Sequence, residues 1–327
     1  MIGTLNGEIT VSRAYAATGR DLHIDTPLSN ITIAYRPDGL IADLIMPNVP
    51  VDKETGTYYV WDKGDFLRVP RTERARGTAA KEVSFNVSSD TYVAKNYALA
   101  MGLPYEDLAN ADAALNLRAS GAMFLVDQLS LAWEDRIATL LTTTTNVGSN
   151  VSLTNRWNDP VNATPVDDLI AGRNSIRSTT GKEPNLAIFS DFAWQRFRIH
   201  PDVISFIRGT GDNTGGGGVT EAQVAAAFGY DRILIGKGIK NTGNEGAPNA
   251  FTDIWSNACI LLHVAKTPGL MVPTWGYTFR WAPPGLPGHL AVERYNVTDR
   301  KIEKIETHMY QDEKVVATEL GYLIVNT

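Results

Sequence analysis

Side chains that commonly carry chemistry are few in this sequence, and their spacing does not match a catalytic or metal-binding motif. The five histidines are His23, His200, His263, His289 and His308. None of them lies three or four residues from another, the spacing that places two metal ligands on one helical face. Cys259, the single cysteine, and His263 lie in one apolar, strand-like run, which predicts a buried thiol and a hydrogen-bonded core histidine. The sequence therefore predicts no catalytic, metal-binding or cofactor-binding residues.

A glycine-rich stretch at residues 209–218 invites comparison with a phosphate-binding loop. Such a loop needs a feeding strand before it and a Lys-Ser or Lys-Thr pair after it, because the lysine and the hydroxyl bind the phosphates and the metal. Here no such pair follows, and the preceding segment, residues 206–208, is too short for a strand. Gly-x-Ser-x-Gly, the nucleophile motif of many hydrolases, is absent as well. We therefore expect a flexible surface loop.

Composition predicts a folded chain of about two domains. The 327 residues are 43% apolar and 20% charged, with a net charge of −6, whereas disordered chains are poorer in apolar residues and more highly charged. Domains of ~100–200 residues would divide this length into about two. One cysteine excludes a disulfide framework, no apolar run reaches the ~18–20 residues of a membrane span, and the acidic balance disfavours a dedicated nucleic-acid-binding protein. Residues 1–8 do not match a signal peptide.

One segment is typical of a long β-hairpin. Residues 58–61 are strand formers, and Val83, Phe85 and Val87 alternate with polar residues, which is the period of a strand. Between them, residues 62–82 carry six basic and four acidic side chains, so this tip has a net charge of +2 and the rest of the chain −8. The basic residues are Lys63, Arg68, Arg71, Arg74, Arg76 and Lys81. A tip of this length has no core of its own, so we expect either a solvated charged loop or an intersubunit contact.

The strongest helical pattern begins at Pro104, a residue suited to the first position of a helix, and continues to residue 143. Apolar side chains recur there at steps of seven, four and three residues, which places them on one helical face. They are Leu108, Leu115, Ala122, Val126, Leu129, Trp133, Ile137 and Leu140, and the predicted core of this helix is Leu129, Trp133 and Ile137. Forty residues at ~1.5 Å each predict a rod of about 60 Å, which can kink at Gly121.

Three further segments complete the chain. Residues 1–54 are punctuated by prolines and contain one short amphipathic turn at 40–46, which indicates an extended arm that must lie on another surface. Residues 164–275 alternate helical and strand patterns, as expected of a mixed α/β domain. Residues 276–327 are rich in strand formers. The strands predicted in this last segment are 277–281, 289–295, 304–310, 314–317 and 322–325.

Four short segments carry a family resemblance. They are residues 41–51 (IADLIMPNVPV), 57–65 (TYYVWDKGD), 74–78 (RARGT) and 315–324 (VVATELGYLI). In this order they resemble the lead-in, the first loop strand, the small and basic loop tip and the last peripheral strands of the major capsid proteins of tailed phages. The fold of that family is named after phage Hong Kong ninety-seven. No single motif is specific, but the ordered set covers nearly the whole chain.

The resemblance implies an α+β capsid fold of five parts. They are an N-terminal arm (1–54), an extended loop formed by a β-hairpin (55–90), a spine helix with part of the peripheral domain (91–163), an axial α/β domain (164–275) and a strand-rich end that completes the peripheral domain (276–327). The chain lacks the long, charged, helical N-terminal extension that serves some relatives as a built-in scaffold. This difference implies a separate scaffold or a removed precursor segment.

The implied function is structural and not enzymatic. Many copies, as hexamers and pentamers, would self-assemble into an icosahedral head shell around phage DNA, located in the virion and assembled in the host cytoplasm. The implied partners are other copies of the chain, scaffold, portal and decoration proteins, and packaged DNA through weak, non-specific contact, with no membrane and no cofactor. The alternatives are an encapsulin-like cellular nanocompartment shell of the same fold and, more remotely, an α/β enzyme with an unrecognised site.

Overall fold

The computed structural model describes residues 23–24, 39–110, 116–209, 217–244, 246–269 and 271–327. Within these ranges the chain forms two large β-sheets, two two-stranded sheets and eight α-helices. The mixed α+β character expected from the sequence is therefore confirmed. Most of the glycine-rich segment predicted to be flexible, residues 210–216, lies outside the described residues.

The first elements of the described residues are short and belong to the predicted arm. They are strand β1 (His23–Ile24), helix α1 (Ala42–Ile45) and strand β2 (Asn48–Val51). Helix α1 is the amphipathic turn expected at 40–46, and its residues Ala42 and Ile45 are buried. The remainder of the arm, residues 1–22 and 25–38, lies outside the described residues.

The predicted hairpin is present and has a long tip. It consists of β3 (Thr55–Trp61), a single helical turn α2 (Lys63–Phe66) and β4 (Val87–Val93), and the two strands pair antiparallel. The second strand begins at Val87, so the alternating residues Val83 and Phe85 belong to the tip and not to a strand, contrary to expectation. After β4 the chain continues at once into β5 (Lys95–Pro104), with Ala94 alone between the two strands.

The first large sheet has six strands and is built around one long strand. Besides β1, β2 and β5 it contains β12 (Gly276–Trp281), β13 (Leu290–Val297) and β14 (Ile302–Val315). β14 pairs antiparallel with β13, β12 and β5, while β2 pairs in parallel with β12 and β1 pairs with β13. The two strands predicted at 304–310 and 314–317 are one strand, because the alternation of buried residues continues through Gln311.

The longest helix is shorter than the sequence predicts. α3 (Tyr105–Asn110) follows β5 directly, and α4 (Leu117–Thr142), called the spine helix below, begins after Asn116, whose side chain caps the N–H of Ala119. The predicted rod of about 60 Å is therefore wrong. The spine helix has 26 residues, about 39 Å at the rise of an α-helix, and Pro104 ends β5 instead of starting a helix.

The second large sheet carries the main hydrophobic core. Its strands, in spatial order, are β6 (Ser149–Ser152), β15 (Gly321–Val325), β11 (Ala258–Leu262), β7 (Leu186–Ser190) and β8 (Arg232–Gly236). β7 and β11 are buried along their full length, as their continuous apolar sequences require. Residues 276–327 do not stay together, since β15 joins this sheet and β12, β13 and β14 belong to the first.

Four helices pack on and beside the second sheet, in the segment expected to be mixed α/β. They are α5 (Pro165–Thr180), α6 (Asp191–Phe197), α7 (Pro201–Arg208) and α8 (Glu221–Phe228). Thr220 and Gln223 form a reciprocal capping box that starts α8. A small hairpin of β9 (Ile239–Asn241) and β10 (Phe251–Asp253) projects beside them.

Cys259 in β11 is fully buried, as predicted, and burial raises the pKa of its thiol. His263 was expected in the core and lies instead at the end of β11, half-buried, where its Nδ1 is 2.7 Å from the carbonyl oxygen of Glu183. The strand therefore ends at Leu262, before His263.

Candidate intersubunit interface

Aromatic contacts fix the base of the hairpin to the first sheet. The ring of Tyr92 stacks on Phe279 of β12 with the centroids 4.6 Å apart, and the ring of Tyr58 approaches Phe279 at 5.4 Å. Tyr58 Oη donates to Asp90 Oδ2 at 2.8 Å across the hairpin. Burial, and after it the hydrogen bond to this carboxylate, raises the pKa of Tyr58. The strands of the hairpin are therefore held firmly at the end opposite the tip.

Lys63, the first basic residue of the tip, binds its own chain. Its Nζ lies 2.9 Å from Oε1 of Glu319, in the short turn before β15. This hydrogen bond lowers the pKa of the Glu319 carboxyl. Both side chains are close to half exposed, and exposed pairs of this kind contribute ~0–1 kcal/mol. Of the six basic residues singled out in the sequence, Lys63 is thus already engaged within the subunit.

The other basic residues of the tip are exposed. Arg68 lies 4.0 Å from Asp65, with 75% of its side chain exposed. Arg71, Arg74, Arg76 and Lys81 form no ion pair with any residue in the described ranges. The guanidinium group is a planar fork of donors that matches a carboxylate, so this part of the tip is suited to an acidic partner.

The tip also exposes an apolar surface, which sequence reasoning missed. The rings of Phe66 and Phe85 contact each other with centroids 5.9 Å apart, yet each ring keeps more than half of its surface exposed. Leu67, Val69 and Val83 are exposed by 57%, 93% and 73%. We call these five residues the apolar tip surface. The only signal for it in the sequence was the alternation at 83–87, which indicated a strand.

A groove separates the hairpin from the body of the subunit. Its volume is about 830 Å³. Tyr59 and Trp61 of β3 form one wall, and Tyr277 and Phe279 of β12 form part of the other. The groove therefore leaves part of the hairpin face without close packing on the body, and the Lys63–Glu319 pair joins the two beyond the aromatic base.

The predicted core residues of the spine helix are buried. Leu129, Trp133 and Ile137 are exposed by 4%, 7% and 0%. The guanidinium carbon of Arg280 lies 5.2 Å from the centre of the Trp133 ring, and Arg280 also binds Asp43 Oδ1 at 2.7 Å. These contacts connect the spine helix with β12 and with helix α1.

Glu134 of the spine helix is a buried carboxylate that the sequence analysis did not single out. It accepts the backbone N–H groups of Ile41 at 3.0 Å and Ala42 at 2.7 Å, and the indole N–H of Trp255 at 2.7 Å. Burial raises the pKa of Glu134, while these three donors act in the opposite direction. The carboxylate thus fixes the start of α1 on the spine helix.

The described ranges contain no group of three or more histidine, cysteine, aspartate or glutamate side chains that could hold a metal ion. Among the helices in this part of the chain, none combines the length and apolar character that a membrane crossing requires. The most distinctive surface of the described residues is the projecting hairpin, whose tip exposes basic and apolar side chains.

Comparisons with known proteins assign the fold. No family model matches the chain. Over 309 residues the chain is 24% identical to the major capsid protein of Pseudomonas phage JBD67, covering 93% of this chain and 96% of that protein. It is 25% identical over 313 residues to the major capsid protein of Burkholderia phage BcepMu, covering 92% and 95%. The chain has the fold of phage major capsid proteins.

Solved structures share this capsid fold along most of the chain. A phage-related protein from Bordetella bronchiseptica RB50 has a TM-score of 0.69 at 22% identity, covering 93% of this chain and 97% of that one. The capsid of Cyanophage P-SCSP1u has a TM-score of 0.58 at 10% identity, covering 89% of each chain. The SrpI encapsulin of Synechococcus elongatus PCC 7942 has a TM-score of 0.53 at 13% identity, covering 87% and 86%.

The relatives decide between the functions left open by the sequence. Both curated relatives are structural capsid proteins that match along almost their whole length, so the chain is a structural shell protein and not an enzyme. The remote alternative of an α/β enzyme is thereby dropped. Since an encapsulin shares the fold, the fold by itself does not distinguish a phage capsid from a nanocompartment, and the sequence relatives favour the phage capsid.

Proposed function

We propose that this chain assembles, as hexamers and pentamers, into an icosahedral head shell that encloses phage DNA. The observation that supports this proposal is the hairpin tip, which exposes guanidinium groups together with large apolar side chains. A contiguous apolar surface of this kind is costly in water unless another surface covers it. In a closed shell, the neighbouring copy supplies that surface.

In this proposal the tip lies across a neighbouring subunit. The apolar tip surface is buried there and contributes most of the affinity, because burial of apolar area is the main favourable term in association. Arg68, Arg71, Arg74 and Arg76 face carboxylates of the neighbour, and Lys81 adds to the same positive surface. Each exposed ion pair contributes only ~0–1 kcal/mol, so these pairs set the register of the contact more than its strength.

The remaining parts take the roles expected of a capsid protein. The subunit is divided into an arm (1–54), an extended loop (55–90), a spine (91–163), an axial part (164–275) and a peripheral part (276–327). Strand β15 of the peripheral part belongs to the axial sheet. Scaffold, portal and decoration proteins are further partners during assembly in the host cytoplasm. Contact with packaged DNA is weak and non-specific, because the net charge outside residues 62–82 is −8.

Negative-stain electron microscopy of the purified protein tests the proposal. We expect closed shells from the wild type, and a folded but poorly assembling subunit when Arg68, Arg71, Arg74 and Arg76 are all changed to alanine. Wild-type assembly should weaken as salt increases, since exposed charges are screened. The matched control removes four exposed basic residues elsewhere: Lys53, Lys182, Lys237 and Arg300. Normal shells from the tip variant across a range of ionic strength would contradict the charged contact.

The second candidate is a nanocompartment shell, which the similarity to an encapsulin favours. The two functions differ in what the shell contains. Shells purified from the native source should hold nuclease-resistant DNA if the proposal is correct. A stoichiometric enclosed enzyme without DNA would support the nanocompartment instead.

A further inference from the structure

No strand among the described residues pairs with the outer edge of β5 in the first sheet. β5 and β14 pair without interruption over ten residues, and the N–H of Tyr105 donates to the carbonyl oxygen of Lys301 at 3.1 Å in the same register. Hydrogen-bonded pairs alternate along an antiparallel ladder, so every second residue of β5, counted back from Tyr105, bonds to β14. The N–H and C=O groups that point away from β14 are those of Asn96, Ala98, Ala100 and Gly102.

A hydrogen bond on the far side of β14 agrees with this assignment. The N–H of Tyr310 donates to the carbonyl oxygen of His289 at 2.8 Å, in register with the pairing of β14 and β13. The even-numbered residues of β14 therefore bond to β13, and its odd-numbered residues are left for β5. In the described part of the chain, none of the four outward-facing residues of β5 makes a backbone hydrogen bond at its outer edge.

On the N-terminal side of β5, in β4, the same edge is paired with β3. The N–H of Ala94 donates to the carbonyl oxygen of Glu54 at 2.8 Å, in register with the pairing of β3 and β4. The backbone groups of even-numbered residues thus bond to β3 in β4, and in β5 they meet no strand of the described residues. The edge becomes free where β3 begins, and one further strand would continue the ladder from there.

The free edge has none of the features that normally protect such strands. Proteins usually guard an exposed edge with charges, prolines or bulges. In β5 the only charge is Lys95 at its first residue, the only proline is Pro104 at its last, and the register contains no bulge. Leu99 and Met101 are exposed by 39% and 37%. A long, uncharged edge of this kind is a template for another strand.

We propose that β5 pairs antiparallel with β5 of a second copy about a two-fold axis, which joins the first sheets of two subunits into one. This proposal rests on the self-assembly proposed above and names one of its contacts. Pairing about Leu99 sets Ala98 opposite the partner's Ala100 and Asn96 opposite the partner's Gly102. In that register all four outward-facing residues of each strand enter hydrogen-bonded pairs, whereas a shift by two positions leaves at least one unpaired.

The strand is complementary to itself in this register. On the face toward the spine helix, Leu99 meets the partner's Leu99, and Met101 meets the partner's Tyr97, so the exposed apolar side chains become cross-strand pairs. On the other face the small side chains of Ala98 and Ala100 avoid crowding. The two Lys95 side chains lie at opposite ends of the ladder, so no like charges face each other. This self-complementarity identifies a second copy of the chain as the occupant of the edge.

Disulfide crosslinking tests the register. Leu99 and its symmetry mate form a non-hydrogen-bonded pair, with Cα atoms about 4.5 Å apart, which is within the ~4.4–6.8 Å that a disulfide spans. Leu99→Cys should therefore give a covalent dimer on mild oxidation of the purified protein. Met101→Cys is the matched control, because its two copies would lie four residues apart along the ladder, about 14 Å. Combining Tyr97→Cys with Met101→Cys should restore the dimer.

The native Cys259 does not interfere with this assay, since it is fully buried. A monomeric Leu99→Cys protein inside assembled shells would overturn the pairing, and so would equal dimer yields from Leu99→Cys and Met101→Cys. Electron microscopy of the same samples tests independently whether shells form, as the proposed function requires. Shells without the crosslink contradict only the β5 pairing, while a crosslinked dimer that never forms shells contradicts only the head-shell proposal.

A proline variant tests the backbone contact. Ala100→Pro removes an N–H that points away from β14, so the subunit should stay folded while the ladder to the second copy is broken. In the Leu99→Cys background, Ala100→Pro should abolish the covalent dimer, and Ala100→Ser, which keeps the N–H, should retain it. Unchanged crosslinking in the proline variant, with circular dichroism matching the parent, would show that the strands do not pair.

Discussion

Glu134 of the spine helix accepts a hydrogen bond from the indole N–H of Trp255 at 2.7 Å, although 121 residues separate them in the chain. The same carboxylate accepts the backbone N–H groups of Ile41 and Ala42. One buried side chain therefore joins the arm, the spine helix and the segment between β10 and β11. A charged group in such a place is stable only because its acceptors are satisfied by several donors.

Replacing this carboxylate should destabilise the subunit. Glu134→Gln keeps the shape but presents an NH₂ group to N–H donors, so at least one buried donor loses its partner. We expect a loss of about 1–3 kcal/mol in the free energy of unfolding, the usual cost of one unsatisfied buried group. Chemical denaturation of the unassembled subunit measures it. Asp135→Asn, at the neighbouring and more exposed position, is the control and should change stability little.

The difference in stability between the wild type and Glu134→Gln should change with pH in one direction. Because burial raises the pKa of Glu134 in the folded chain, the folded state binds a proton more tightly than the unfolded state. The stability contributed by Glu134 is therefore fully present below the pKa of the unfolded chain and declines as pH rises through the raised pKa of the folded chain. The advantage of the wild type over Glu134→Gln should shrink across that interval. An advantage that grows with pH would mean that the three N–H donors outweigh burial.

Trp133 provides a test of the spine core. Trp133→Ala removes a buried indole and leaves a cavity beneath Arg280, which should cost ~3–5 kcal/mol of stability. The thermal midpoint of the subunit should fall accordingly. Phe124→Ala on the same helix is the matched control, since Phe124 is 55% exposed and should contribute little. Equal effects of the two substitutions would refute the assigned inward face of the helix.

The apolar tip surface should matter for assembly and not for folding. Phe66→Ser combined with Phe85→Ser should leave the unfolding midpoint of the subunit nearly unchanged, because both rings are more than half exposed. Shell yield, measured by sedimentation, should fall sharply, and the defect should persist at high salt, unlike that of the arginine variant. Phe251→Ser, at an exposed aromatic outside the tip, serves as the control. Full assembly of the double variant would remove the apolar surface from the proposed contact.

Cys259 should not react with thiol reagents in the folded protein. It is fully buried, and burial raises the pKa of its thiol, so the reactive thiolate is scarce at neutral pH. Labelling should therefore follow global unfolding as denaturant increases. Rapid labelling in native buffer would indicate that β11 opens locally.

Local sequence signals predicted many elements of the fold. The apolar runs that form β7 and β11 are recognisable within a few residues, and the structure has strands there. The hairpin was equally clear, because strand formers and a polar tip follow one another. These features depend on propensity, which acts over short distances.

Other features depended on residues distant in the chain. β5 was not predicted as a strand, because residues 95–104 show no simple alternation and are ordered by pairing with β14, some 200 residues later. The helical pattern at 104–143 continued across the N-cap residue Asn116, since periodicity alone does not reveal a cap inside an apolar stripe. Glu134 did not stand out in the sequence, because its hydrogen-bond partners Ala42 and Trp255 lie 92 and 121 residues away.

The near continuity of β4 and β5 has a mechanical consequence. From Val87 to Pro104 the backbone is extended except at Ala94, a length of about 60 Å at the rise of a β-strand. Ala94 is itself fully buried and hydrogen-bonded to Glu54, so the junction is not a loose hinge. The ten residues of β5 at one end of this extended segment are paired with β14, and the seven residues of β4 at the other end lead to the tip. A force applied at the tip is transmitted along this segment into the sheet beneath the spine helix. The proposed contacts between tips and neighbouring subunits would therefore link the sheets of those subunits mechanically.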